Sequence, residues 1–196
     1  MGVRIGVLAL QGDVSEHIDA FRDAVRAFGS ERSISVVQVR KPEEITGLDV
    51  LAIPGGESTT ISRLIEKNRL FDPIIEFEGG IFATCAGMVV MAGSVDDPRV
   101  HPLGLMDYKV IRNAFGRQRD SFEADIAIAG LDRPFHAVFI RAPVAQHLGN
   151  GIKVLGSLPE GVVAMEQGRF MALSFHPELG RDPRLHIRFL KNCGLL

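Results

Sequence analysis

Two hydrophobic periods divide the chain. In the first hundred residues, short continuous apolar runs alternate with stretches whose apolar residues recur every three or four positions. "VRIGVLAL" (3–10) is a β-rich run bounded by Gly12, and "VSEHIDAFRDAVRAFG" (14–29) has the pattern of an amphipathic helix ended by Gly29. "SISVVQVR" (33–40) predicts a second strand, and "LDVLAIPGG" (48–56) a third that stops at Pro54-Gly55-Gly56. "STTISRLIEKNRL" (58–70) predicts a helix with Ser58 or Thr59 as its N-cap, and "GGIFATC" (79–85) a strand running into a helix, "AGMVVMAG".

From about residue 105 the texture changes. "LMDYKVIRN", "SFEADIAIA", "HAVFIRAP", "IKVLGSL", "GVVAMEQG" and "RFMALSFHPE" are strand-like pieces parted by Gly, Pro or Asp turns. "VVAMEQGRFMALSF" predicts a hairpin turning at Gln167-Gly168-Arg169. "DPRLHIRFLKNCGLL" closes the chain as a helix with Pro183 in its first turn. Strand–helix alternation with continuous apolar strands points to a parallel sheet covered on both faces. The expected fold is a single three-layer α/β domain over residues 1–196: a mostly parallel central sheet flanked by helices, with antiparallel additions in the second half. No internal repeat, low-complexity tract or long linker interrupts it.

Composition narrows the class. Hydrophobic residues make up 46% and charged residues 23% of 196, ordinary for a globular domain large enough to bury a core. A net charge of −2 gives no reason to expect nucleic acid or an anionic membrane as partner. The two cysteines lie far apart with no C-x-x-C spacing, so a disulfide framework or a cysteine metal site is not expected. The amino terminus lacks a signal-peptide pattern, position 6 is Gly where a myristoylation signal needs Ser or Thr, and no apolar run reaches membrane-spanning length. A cytoplasmic protein is the expectation.

In open α/β sheets ligands collect at the carboxyl ends of the strands, and three unusual features fall there. Cys85 ends one strand and starts a helix, with Ala83 at −2 and Gly87 at +2. This is the small-x-nucleophile-x-small pattern of a nucleophile elbow with cysteine in the serine position. The plainer alternative is a buried core cysteine. His176 and Glu178 flank Pro177, and in an extended segment residues i and i+2 point to one side. They are either a surface pair or a base with its orienting acid. "PGGEST" (54–59) is either a turn with a helix cap or a loop of backbone N–H donors for an oxyanion, one from this turn and one from Ala86. A phosphate loop is disfavoured, because no G-x-x-x-x-G-K-[ST] is present and Glu57 would repel phosphate. Arg112 and Arg141 end strand-like pieces and are either solvated or paired donors for a carboxylate. His17, His101, His136, His147 and His186 show no ligand spacing, Cys193 belongs to the apolar side of the last helix, and no metal site is expected. "LALQGD" is only superficially like a dinucleotide turn, lacking the G-x-G-x-x-G glycines.

Taken together, "PGGEST", "TCAGM" and "SFHPE" in this order resemble the triad-type (class I) glutamine amidotransferases. "IGVLALQGDVSEH", "RNAFGRQRDSFEADI" and "VFIRAP" are similar to one branch, the glutaminase subunits of two-subunit pyridoxal 5′-phosphate synthases. The likeness runs from residue 4 to about residue 178. Ala83 departs from it, since many of these enzymes carry Gly there. The resemblance implies hydrolysis of L-glutamine to glutamate and ammonia, with Cys85 as nucleophile, His176 as base and acid, and Glu178 orienting it. It also implies that the backbone at Gly55, Gly56 and Glu57, the Arg112 side chain and Ile140-Arg141 hold glutamine. Ammonia would pass to a larger synthase subunit within a large hetero-oligomer, which builds pyridoxal phosphate from a pentose phosphate and a triose phosphate. That compound would be the product of the complex, and no cofactor of this chain is implied. The rival assignments are a glutaminase subunit of another system, such as imidazole glycerol phosphate synthesis, and a non-catalytic assembly subunit. A Gly-Gly peptide that flips between donor-out and donor-in states would serve as a switch thrown by the partner.

Overall fold

The computed structural model describes residues 2–29, 33–116 and 121–196. Residues 117–120 of the "RNAFGRQRDSFEADI" segment lie outside the described residues. The first half runs β1 (Val3–Leu8), α1 (Val14–Phe28), β2 (Ile34–Val39), β3 (Val50–Ile53), α2 (Ser58–Lys67), α3 (Phe71–Ile75), β4 (Gly80–Thr84) and α4 (Ala86–Met91). The second half adds β5 (Ala92–Val95), β6 (Met106–Ile111), β7 (Ser121–Ile126), β8 (Phe135–Ile140) and β9 (Val144–Gln146). It finishes with β10 (Lys153–Leu158), β11 (Gly161–Gln167), β12 (Phe170–Leu173) and α5 (Arg184–Asn192).

Among the described residues the main sheet has the order β2-β1-β3-β4-β12-β11-β9-β6-β5, with β10 beside β11. From β2 to β12 every neighbour is parallel, as the apolar runs predict. Beyond β12 the β12–β11, β11–β9 and β9–β6 pairs are antiparallel, while β5 returns parallel to β6. The three layers follow from strand alternation. In β3, Leu51 and Ile53 face one core with α2, α3 and α4, while Val50 and Ala52 face a second core. That second core holds Phe21 of α1, Leu185 and Phe189 of α5, and Phe135 and Phe139 of the β7–β8 hairpin. Phe21 packs edge-on against Phe82 of β4 at 5.5 Å and seats α1 on the sheet.

Several local expectations change. The predicted 58–70 helix breaks after Lys67, because Arg69 takes a left-handed φ of 58°, and α3 follows as a separate turn. Glu57, rather than Ser58 or Thr59, is the N-cap of α2; its carboxylate accepts from the Thr59 and Thr60 N–H groups at 3.2 and 2.7 Å. The helix after Cys85 ends at Met91, and Ala92 turns extended to begin β5. The β11–β12 hairpin does turn at Gly168-Arg169, with Gln167 opposite Phe170. The last helix is shorter than its sequence pattern, with Pro183 at the N-cap.

Candidate active site

Cys85 sits where β4 becomes α4. Its φ of 47° and ψ of −104° are a strained backbone that puts the side chain at the top of the sheet, as in a nucleophile elbow. The strain is held on both sides. The Cys85 N–H donates to the Leu173 carbonyl at 2.8 Å, extending the β4–β12 ladder by one residue. Gly87 packs so closely on β3 that a Cβ there would lie 2.1 Å from the Ile53 carbonyl oxygen. A small residue at +2 is therefore a steric requirement of this turn, and Ala83 at −2 is fully buried.

His176 follows β12, the parallel neighbour of β4, and so reaches the same end of the sheet as Cys85. Its Nδ1 lies 2.7 Å from Glu178 Oε1, and both side chains are buried. The local reason differs from the sequence expectation. Pro177–Leu179 is a single 3₁₀ turn, so the imidazole and carboxylate meet across a turn rather than on one side of an extended strand. Burial disfavours the charged imidazole, but hydrogen bonds with Asp13, Cys85 and Glu178 outweigh it and push His176 up to about 12. Burial likewise works against the Glu178 carboxylate, and His17 and His176 together carry its carboxyl below the usual range. A charged imidazole lining the same cleft as the sulfur is a setting suited to a cysteine nucleophile.

These groups border a cleft of about 270 Å³, a size for an amino acid. Cys85, Ala86 and His176 line one part of it, and Gly56, Glu57 and Arg112 another. Gly55 stands behind His176: a Cβ there would meet the ring carbon Cε1 at 2.4 Å. The Gly55 carbonyl accepts from the Asp13 N–H at 3.3 Å, and the Glu57 N–H donates to Gln11 Oε1 at 2.8 Å. Arg112 is paired rather than simply solvated. Its guanidinium contacts Asp97 and lies 3.4 Å from Glu57 Oε1, with the side chain 19% exposed. The Ile140 carbonyl accepts from the Cys85 thiol at 3.6 Å, and Arg141, at a φ of 44°, also borders the cleft.

Sequence reasoning missed Gln11, Asp13 and Asn113 as cleft residues, and Asp13 Oδ2 lies 3.2 Å from His176 Nδ1. The available signal was the position of "QGD" at the carboxyl end of β1, where ligands gather whatever the glycine pattern. Cys193 is a different kind of thiol. It is half-buried against β4, and burial pushes it up to about 11.

A thiol on a strained elbow, served by an imidazole that a buried carboxylate orients, belongs to the cysteine-dependent hydrolases and transferases of triad type. Its seat on a largely parallel sheet narrows the class. The model of the SNO glutamine amidotransferase family matches residues 7–195, and the chain belongs to that family. It is 63% identical over 194 residues to the pyridoxal 5′-phosphate synthase subunit PdxT of Methanoregula boonei, covering 98% of this chain and 100% of that one. The protein of the same name from Methanosphaerula palustris is 62% identical over 196 residues, with both chains fully covered. A crystal structure of a glutamine amidotransferase, 45% identical, superposes with a TM-score of 0.84 over 97% of this chain and 98% of that one. A glutamine amidotransferase from Thermotoga maritima shares the fold at 13% identity and a TM-score of 0.61, over 100% of this chain and 95% of that one.

Proposed function

We propose that this chain hydrolyses L-glutamine to L-glutamate and ammonia and delivers the ammonia to a pyridoxal 5′-phosphate synthase subunit. The observation that carries the reading is the Cys85–His176–Glu178 constellation at the mouth of an amino-acid-sized cleft. The relatives named for that synthase, at up to 63% identity over the full chain, support the choice of acceptor over other amidotransferase systems. Pyridoxal phosphate is then the product of the complex, and this chain's chemistry calls for no cofactor or metal. A cytoplasmic setting and a large hetero-oligomer belong to the same proposal. Among the described residues no helix is long and apolar enough to cross a membrane.

The chemistry follows from the geometry. The Cys85 thiolate adds to the side-chain carboxamide carbon, and the oxygen takes up negative charge. Backbone N–H groups at Ala86 and, once its peptide is turned inward, in the Gly55-Gly56 turn would meet that charge, each worth about 3 kcal/mol of transition-state stabilisation. His176 gives its proton to the leaving nitrogen, the C–N bond breaks, and ammonia departs from a γ-glutamyl thioester. Water, deprotonated by the now neutral His176, adds to the thioester; the C–S bond breaks, releasing glutamate and the thiolate. Glu178 keeps the imidazole aimed throughout. Arg112 and the Ile140-Arg141 segment suit the α-carboxylate and α-ammonium ends of the substrate.

The Gly55 carbonyl bond to Asp13, at 3.3 Å, is long enough to break at small cost, and both flanking residues are glycine. Partner docking that flips this peptide would raise activity without altering the triad. Ammonia release is measured for the purified chain with and without synthase subunit. A rise of tenfold or more is expected on addition, and equal rates would sink the switch. Cys85→Ala abolishes release in the complex while Cys193→Ala retains it within about twofold; comparable losses from the two would contradict the nucleophile assignment.

A further inference from the structure

The first turn of α1 is turned toward the triad. Asp13 occupies the N-cap, where a carboxylate ordinarily accepts from the first N–H groups of its helix. It makes no such side-chain bond, and its Oδ2 lies beside His176 Nδ1 instead. One turn on, at i+4 and so on the same helix face, His17 is fully buried. Its Nε2 lies 2.9 Å from Thr84 Oγ1 and 3.5 Å from Glu178 Oε1. Thr84 immediately precedes Cys85. One edge of this imidazole therefore touches both the elbow strand and the triad acid.

The proton position follows from what surrounds the ring. His17 Nδ1 is buried with no hydrogen-bond partner among the described residues. A proton there would be a stranded donor, and the Nε2 lone pair would face a carboxylate. A proton on Nε2 meets the Thr84 hydroxyl oxygen at 2.9 Å and turns its positive end to Glu178 Oε1 at 3.5 Å, leaving only a lone pair without a partner, the lesser cost. The other neighbours offer no competing polar grip. The Phe82 ring is edge-on at 6.2 Å and the His186 ring at 6.5 Å. Glu178 Oε2 is also buried without a partner among the described residues, so Oε1 alone fixes the carboxylate's orientation.

We infer that His17 is a positioning residue: its Nε2–H holds Glu178 Oε1 toward His176 Nδ1 and ties that carboxylate to Thr84, beside the nucleophile. The inference rests on reading Cys85, His176 and Glu178 as a glutaminase triad. It differs from a packing role because the effect runs through Glu178 alone.

The test is steady-state glutaminase kinetics in the presence of synthase subunit, with thermal unfolding of every variant. His17→Leu fills the space without a donor, and His17→Gln keeps an N–H of similar reach. His17→Leu is expected to lower kcat about tenfold, as for one lost hydrogen bond to a charged group, with KM changed less than about twofold. His17→Gln should recover kcat to within about threefold of the parent. In a Glu178→Gln background, adding His17→Leu should change kcat by less than about twofold, because the path is already cut. Three results would each overturn the assignment: a kcat for His17→Leu within twofold of the parent, a Gln variant no better than Leu, or a full tenfold loss persisting on Glu178→Gln. Should His17→Leu fail to fold, Thr84→Val removes only the hydroxyl that fixes the ring; a severalfold drop in kcat at unchanged KM supports the role, and no drop overturns it. An inactive parent complex would defeat the glutaminase reading itself, whereas an active parent with an equally active His17→Leu defeats only the role of His17.

Discussion

Gly87→Ala tests whether the elbow's position, and not merely its residues, sets the rate. A Cβ at Gly87 would lie 2.1 Å from the Ile53 carbonyl oxygen and 2.9 Å from its carbon. Both are backbone atoms of β3, and the next residues are Pro54 and the Gly55-Gly56 turn, so no side chain can swing aside to make room. Contacts below 3.0 Å are essentially never seen for a real Cβ. The elbow and the end of β3 must therefore part by about 1 Å, a displacement that costs on the order of 10²-fold in rate when it misplaces reacting groups. Overpacking of this kind costs about 1–3 kcal/mol of stability, a fall in Tm of roughly 3–10 °C for a chain of this size. Gly6→Ala is the matched control. Its Cβ would lie 2.4 Å from Leu48 Cδ1 and 2.9 Å from Val39 Cγ2, so it strains the core but not the site. Glutaminase kcat/KM is measured at 25 °C with synthase subunit present, and Tm by calorimetry. Gly87→Ala should lose about 10²-fold in kcat/KM, and Gly6→Ala less than about twofold at a similar loss of Tm. A folded Gly87→Ala with kcat/KM within threefold of the parent would refute the reasoning, as would equal losses in the two variants.

Two further outcomes follow from the site and the core. Arg112→Lys keeps the charge but loses the planar fork that Asp97 and Glu57 hold beside the cleft, so KM for glutamine should rise about tenfold with kcat little changed; an unchanged KM would remove Arg112 from substrate binding. Burial carries His186 down from 6.5 to about 3. Below pH 6.5 the unfolded chain therefore takes up a proton that the native chain refuses. Stability falls as pH drops from 6.5 toward 3, by up to roughly 1.4 kcal/mol per pH unit for one such group. His186→Phe, placed between Phe21 and Phe82, should flatten that part of the curve in urea titrations at pH 7, 6 and 5. A parent–variant difference that stays constant with pH would contradict it.

The parallel half of the fold was legible because its strands, buried on both faces, read as unbroken apolar runs such as "VLAI". What escaped were elements too short to carry a period: α3 with five residues, β5 with four and β9 with three. Cys85 was legible from its small neighbours, and the backbone contact of Gly87 with Ile53 shows why that signal is physical. The pairing of His176 with Glu178 was right in outcome and wrong in local geometry, because a proline favours the start of a 3₁₀ turn as readily as an extended chain. Asp13 and His17 were not legible as site residues. Helical periodicity marks a buried face but not what that face meets, and their partners Thr84, His176 and Glu178 lie far away in the chain. Glu57 shows the same limit at short range, since its capping of α2 depends on a turn that only the folded backbone reveals.

The placement of β12 has a consequence for how the chain comes into being. Phe170–Leu173 lies between β4, made nearly ninety residues earlier, and β11, made just before it. Until the last quarter of the chain leaves the ribosome, β4 has an open edge, and that edge carries Ile81, Phe82 and Ala83 with no strand beside them. His176, the base in the proposed mechanism, comes three residues after the strand that closes the gap. On the proposed mechanism, a nascent chain lacks its base while it is most vulnerable to pairing with a second copy of itself. The hairpin that seals the sheet against aggregation also carries the chain to the proposed His176–Glu178 pair.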